Sequence, residues 1–175
     1  CYSFVFIPNY GLIKGLWFSL FHSVSAFCNA GIDLLGENSL EIYASNVWIN
    51  VITMFLIISG GIGFVVWKDI IDGFKNHFIK GFSFKKCLQK LRLHTKITLI
   101  TTAILIFGGA LLIFLLEYTN SATIGNMSFS GKIIASFFQS VTLRTAGFAT
   151  FSQSGLRHGT VLLCYFLMII GGSSI

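Results

Sequence analysis

A chain of 175 residues with 54% apolar residues, only 10% charged residues and a mean hydropathy of +0.81 carries too few charges to cover a soluble globular surface. That composition excludes an ordinary water-soluble domain and makes the lipid bilayer the first expected partner. The formal net charge of +6 is gathered in one segment between apolar runs, a topology signal before it is a ligand signal, so no nucleic acid is expected on this chain.

In chain order, Cys1 to Ile7 reads as the tail of an apolar helix ended by Pro8 and Asn9. Leu16 to Phe27 is a short apolar run, followed by a stretch from Gly31 to Asn46 rich in Ser, Asn, Gly and acidic residues. Val47 to Trp67 is apolar enough to span, broken only by Asn50, Thr53, Ser59 and glycines. With apolar Ile62 and Phe64 beside Gly60, Gly61 and Gly63, it is expected to stay helical through Trp67. Residues 68–96 hold Lys68, Lys75, Lys80, Lys85, Lys86, Lys90, Arg92 and Lys96 against only Asp69 and Asp72. The positive-inside rule makes this loop cytoplasmic, and its interspersed Phe and Leu suit short amphipathic helices on the membrane surface. His77 and His94 within it read as interfacial residues.

Thr98 to Leu116 has no charge and is long enough to cross a hydrocarbon core of roughly 30 Å. A polar stretch from Glu117 to Ser130 follows, then a second short apolar run from Ile133 to Leu143. Arg157 and His158 look like interfacial anchors before a last apolar run that begins near Thr160 and is cut off at Ile175. The two short runs would each be roughly 18 Å long as helices, too short to cross, and crossing would upset the parity set by the basic loop. They are expected to be re-entrant, entering and leaving on the outer side, where backbone at membrane depth must be buried in protein or line a water-filled cavity. With no initiator Met and no signal peptide, and with both ends inside apolar stretches, the sequence reads as an internal piece of a longer chain.

Catalytic chemistry is not indicated. Cys1, Cys28, Cys87 and Cys164 make no disulfide or zinc spacing, and neither complete span holds a charged residue or a His. The informative feature is an internal repeat: SLFHSVSAFCNAG at Ser19 to Gly31 and SFFQSVTLRTAG at Ser136 to Gly147. With one gap they pair Ser19 with Ser136, Phe21 with Phe138, Ser23 with Ser140, Val24 with Val141 and Ala30-Gly31 with Ala146-Gly147. Each copy is followed by an outer loop and a span with an Ile-Ile and Gly-Gly cluster, Ile57, Ile58, Gly60, Gly61 in one and Ile169, Ile170, Gly171, Gly172 in the other.

A dehydrated cation needs oxygen ligands in place of water, and extended backbone after a helix aimed into the membrane can supply carbonyls. Glycine permits the positive φ that steers successive carbonyls toward one axis. The expected ion ligands are therefore backbone carbonyls of Cys28, Asn29, Ala30, Gly31, Arg144, Thr145, Ala146 and Gly147. His22, Ser23, Gln139 and Ser140 on the re-entrant helices are expected to brace this filter by hydrogen bonds. The Arg144 side chain would repel a permeant cation unless turned away, toward carbonyls, an acidic partner such as Glu117, or solvent at the outer mouth. A non-conducting membrane scaffold or assembly subunit is the alternative function.

FHSVSAFCNAG at Phe21 to Gly31, GGIGF at Gly60 to Phe64, LHTK at Leu93 to Lys96, RTAGF at Arg144 to Phe148 and GGSS at Gly171 to Ser174 resemble the membrane subunit of the bacterial Trk/Ktr potassium-uptake family. The resemblance runs over essentially the whole chain. It implies an all-α membrane protein of helix–pore loop–helix repeats, potassium-channel-like, of which this chain holds the second and third of four. Residues 1–67 would be the second repeat, with pore helix and filter at 15–33 and second helix at 47–67. Residues 68–96 would be the cytoplasmic loop, and 97–175 the third repeat, with helix 97–116, pore helix and filter 131–149 and a truncated helix 159–175. The implied function is K⁺ uptake across the plasma membrane, with Na⁺ as a permeant or coupling ion, by a homodimer carrying a cytoplasmic nucleotide-binding regulatory subunit. A gate is expected at Gly171, Gly172, Ser173 and Ser174, where glycine and serine should break the last helix near the membrane centre.

Overall fold

Glycines with positive φ punctuate the chain: Gly11 and Gly63, with φ of +79° and +90°, each separate two successive helices in its first half. The computed structural model describes residues 1–36, 39–80 and 91–171, apart from the side chains of 76–80. Helices α1 (Ser3–Tyr10) and α2 (Leu12–Phe27) form a hairpin around Gly11, and α3 (Val47–Gly61) is followed by α4 (Phe64–Lys80). Then come α5 (Leu93–Glu117), α6 (Phe129–Thr142) and α7 (His158–Ile170), with one 3₁₀ turn before α3 and another before α7. Among the described residues there is no strand.

Polar caps start two of these helices. The Asn46 side chain accepts from Ile49 N at the head of α3, and Ser128 Oγ accepts from Gly131 N at the head of α6. Helix α1 packs on α2, α2 on α3, α3 on α6, α5 on both α6 and α7, and α4 on α5. Helix α6 thus joins the two halves of the chain. The core lies there, where Phe6, Ala26, Ile49 and Ile57 of the first half meet Ile106, Phe138, Val141, Ala146 and Phe148 of the second.

Two sequence expectations are corrected. Helix α1 does not end at Pro8 and Asn9 but runs through both to Tyr10. Proline removes only its own N–H from the ladder, and the terminator is Gly11, whose N–H still reaches Ile7 O at 2.9 Å. The apolar stretch Val47 to Trp67 is not one continuous helix either: it breaks after Gly61, and the axes before and after differ by 99°. Gly60, Gly61 and Gly63 lower helix propensity in one turn, and Trp67 Nε1 donates to Ser59 O at 2.7 Å, satisfying a carbonyl at the end of α3. Helix α5, at 25 residues, is long and apolar enough by itself to cross a membrane, whereas α3 and α4 pass that test only as a bent pair. Helix α4 opens the segment expected to hold amphipathic helices and is tied to the start of α5 by Arg92 N donating to Asp69 Oδ2 at 2.8 Å.

At the far end of α5, Glu117 is fully buried. Its carboxylate accepts from Asn120 Nδ2 at 2.6 Å, Thr123 Oγ1 at 2.7 Å, Arg157 N at 3.0 Å and Thr160 Oγ1. These donors come from the loop after α5 and from the first turn of α7, where a negative charge also meets the positive end of the helix. Replacing Glu117 with Leu would strand four donors at once. The full-length protein carrying Glu117→Leu is expected to lose on the order of 3 kcal/mol of stability, read as a lower midpoint for thermal aggregation in detergent. An unchanged midpoint would show that the network does not bear on stability.

Candidate functional site

The last turn of α2 and the last turn of α6 run into loops of matching backbone form. In the first, Asn29 and Gly31 have φ of +51° and +65°; in the second, Thr145 and Gly147 have φ of +78° and +88°. Left-handed backbone two residues apart, with an alanine between, recurs in both copies although only the glycine is free of strain there. The loops lie against one another. A β-carbon built on Gly31 would stand 2.1 Å from Ala146 O and 2.9 Å from Gly147 Cα, and one built on Gly147 would stand 3.5 Å from Gly31 Cα. The two glycines named by the repeat are therefore neighbours in space.

One residue brackets each loop from the helix that precedes it. Ser25 O accepts from Ala30 N at 2.9 Å while Ser25 Oγ donates to Ile32 O at 2.6 Å. Thr142 O accepts from Ala146 N at 2.9 Å while Thr142 Oγ1 donates to Phe148 O at 2.7 Å. Both bracket residues are buried. The loops are also joined beyond their glycines, where Leu40 N donates to Ala149 O at 3.0 Å and Ala149 N to Ser39 Oγ at 3.4 Å.

Of the expected ligand residues, Cys28, Ala30, Thr145 and Gly147 are exposed, Asn29 and Gly31 are partly so, and Ala146 and Arg144 are buried. A concavity of about 290 Å³ is lined by Ala30, Thr142, Thr145, Gly147, Gln139 and Gln153 among others. The Arg144 guanidinium turns away from it, donating from Nε to Gly171 O at 3.3 Å and from Nη2 to Thr102 Oγ1 at 3.2 Å. Of the three destinations anticipated for Arg144, the carbonyl is the one occupied. Glu117 is engaged elsewhere, and the side chain is only 6% exposed, which excludes snorkelling in this structure.

The anticipated braces divide into two kinds. Gln139 Nε2 donates to Gln153 Oε1 at 2.7 Å, tying α6 to the segment after its loop, and Ser140 Oγ donates to Ile106 O of α5 at 2.9 Å. His22 Nδ1 instead pairs with Phe18 O at 2.8 Å and Ser23 Oγ with Ser19 O, both within α2, so neither reaches the loop. A helical serine readily bonds the carbonyl one turn back, which is why Ser23 stays local; the His22 ring makes the same contact four residues back. Ser25 and Thr142 were not singled out from the sequence. The available signal was their shared hydroxyl at matching places in the repeat, one residue after Val24 and Val141.

Of the expected gate only Gly171 is described: α7 stops at Ile170, and Gly171 leaves it at φ +58°. Gly172, Ser173 and Ser174 lie outside the described residues. Among the described residues no group of three or more His, Cys, Asp or Glu side chains converges as a metal site.

The family model described as a cation transport protein, TrkH, matches residues 3–175. The chain is 44% identical over 172 residues to the potassium/sodium uptake protein NtpJ of Enterococcus hirae, covering 98% of this chain and 35% of that protein. It is 41% identical over 168 residues to the Ktr system potassium uptake protein B of Bacillus subtilis, covering 96% of this chain and 35% of that protein. Potassium transport protein 1 of Schizosaccharomyces pombe is 30% identical over 176 residues, covering 93% of this chain and 21% of that protein. The chain spans about a third of the length of the two bacterial relatives. A family match over nearly every residue, on a chain whose described elements are all helical and include two related helix-and-loop units, places this chain in the TrkH cation transport family, with the membrane subunits of Trk/Ktr systems.

Proposed function

We propose that this chain supplies two of the four pore loops of a potassium-uptake protein, and that backbone carbonyls of Cys28 to Gly31 and Arg144 to Gly147 coordinate the ion. The observation that carries this reading is the pairing of left-handed residues, Asn29 with Gly31 and Thr145 with Gly147, in two loops that touch. Alternating the hand of successive residues turns carbonyls toward a common side, which dehydration of a cation requires. The names of both bacterial relatives support K⁺, and that of the Enterococcus hirae protein supports Na⁺ as a second ion taken up. Arg144 fits beside such a path because its charge is directed behind the loop.

In this reading α2 and α6 are the re-entrant pore helices, the segment 68–96 faces the cytoplasm, and the basic residues there set the orientation. The complete protein works in the plasma membrane as a homodimer with a cytoplasmic nucleotide-binding regulatory subunit, and Gly171 to Ser174 begin its gate. Each loop has one glycine after Asn-Ala or Thr-Ala, which supports one or two strong ion sites and a modest preference for K⁺ over Na⁺.

The test is uptake by the full-length protein in cells lacking their own K⁺ transporters, with Rb⁺ as tracer and Na⁺ as competitor. Gly147→Ser is expected to leave the amount of protein in the membrane unchanged while K⁺ over Na⁺ discrimination falls by roughly tenfold. Unaltered discrimination would overturn the assignment of this loop to the ion path.

A further inference from the structure

We infer that Ser25 and Thr142 are positioning residues that set ion selectivity, each bracketing an Ala-Gly turn by its carbonyl on one side and its hydroxyl on the other. The inference rests on the proposed ion path and adds the device that fixes its geometry. In both copies the backbone carbonyl of the bracket residue holds the N–H of the alanine before the glycine. The hydroxyl of the same residue holds the carbonyl of the residue after the glycine, Ile32 or Phe148. The unit Ala-Gly-X is thus pinned at both ends to one point on the pore helix.

The two loops differ in length, and this separates a positioning role from ordinary helix capping. Residues 26–29 lie between Ser25 and Ala30, whereas only residues 143–145 lie between Thr142 and Ala146. The extra residue of the first loop is accommodated ahead of the alanine. The two bonds common to both brackets measure 2.9 and 2.6 Å in one copy and 2.9 and 2.7 Å in the other, and the shorter second loop adds a longer one from Gly147 N to Thr142 O at 3.3 Å. A cap that merely ended the helix would follow the length of the helix end. Here the dimension kept constant is the span of the turn containing the glycine.

The hydroxyl bond also has a chemical consequence. It engages the Ile32 and Phe148 carbonyls from the helix side, so those oxygens point back toward α2 and α6. The row of carbonyls free to face a cation then ends at the glycine, and its curvature is set by the bracket. Removing the hydroxyl frees the carbonyl after the glycine and lets the turn relax toward water, which admits the more strongly hydrated Na⁺.

The experiment is the ratio of KM for Na⁺ to KM for Rb⁺ in the full-length protein, with membrane content and maximal rate measured separately. Ser25→Ala and Thr142→Val are each expected to lower this ratio by about fivefold, and the double variant by more. Ser25→Thr and Thr142→Ser, which keep the hydroxyl, are expected to retain it. If Ala or Val prevents insertion, Ser25→Cys and Thr142→Cys replace them, since a thiol keeps the size but donates weakly; undiminished selectivity in those variants overturns the inference. If the bracket variants keep the ratio while Gly147→Ser loses it, the bracket is structural only and the ion path stands. If neither Gly147→Ser nor the bracket variants move the ratio, both the ion path and the bracket are overturned.

Discussion

Gly31→Ala in the full-length protein is expected to abolish K⁺ uptake, whereas Gly147→Ala is expected to keep a measurable part of it. Both glycines have positive φ, so alanine at either position meets a backbone penalty of about 1–2 kcal/mol. The difference lies in what the new methyl touches. At Gly31 it would stand 2.1 Å from Ala146 O, a backbone atom that no rotamer change can move; at Gly147 the nearest atom is Gly31 Cα at 3.5 Å, an ordinary contact. Relieving the first overlap requires the second loop to shift by about 1 Å, and a misplacement of that size at a site of fixed geometry costs on the order of 100-fold in rate. Tracer Rb⁺ uptake normalised to membrane content measures the effect. Equal activity of the two variants would mean that the loops are not in contact in the working protein.

That asymmetry was not legible in the sequence, although the pairing of the two glycines was. The repeat at Ser19 to Gly31 and Ser136 to Gly147 puts the glycines in equivalent places, and equivalence in a repeat predicts equal roles. Only packing shows that the Ala146 carbonyl leans over Gly31 with no counterpart over Gly147. The bend after Gly61 was hidden for a related reason. Hydropathy sums the apolar content of Val47 to Trp67 without regard to direction, and apolar Ile62 and Phe64 sit as well on either side of a break as in a continuous helix. The failure at Pro8 is of another kind, because a proline near a helix end forfeits a single hydrogen bond and the following glycine decides where the chain turns. Long uniform runs were easier: the Thr98 to Leu116 run lies inside α5, with the helix longer by five residues at its start and one at its end. Arg144 falls between these cases. A charge beside the proposed cation path was expected to turn away, but the choice of Gly171 O and Thr102 over Glu117 depends on α7 ending beside the loop, which no local pattern encodes.

The Gly-Gly pair at the end of α3 leads to the other large effect expected. Gly60 and Gly61 look interchangeable in the sequence, yet a β-carbon on Gly60 would stand 1.7 Å from Phe27 O, while one on Gly61 would meet only the Asn29 side-chain amide at 3.1 Å. Alanine favours a helix interior over glycine by about 1 kcal/mol, a gain available at Gly60 and only in part at Gly61, the last residue of α3. At Gly61 the amide can rotate aside, and the net change should be small. At Gly60 the obstacle is the last carbonyl of the helix that carries the first loop. Helix α3 must then withdraw from α2 by more than an overpacked core tolerates, at a cost of about 3 kcal/mol or more. Because Phe27 is followed directly by Cys28 and Asn29, the strain falls on the loop as well as on the packing. Gly60→Ala in the full-length protein is therefore expected to reduce the amount recovered as a monodisperse species from membranes by roughly tenfold, and the remainder should transport poorly. Gly61→Ala should be recovered in nearly normal amount and transport K⁺. A stable, active Gly60→Ala protein would mean that α3 does not approach the end of α2 this closely, and with it the support of the first loop from behind would have to be abandoned.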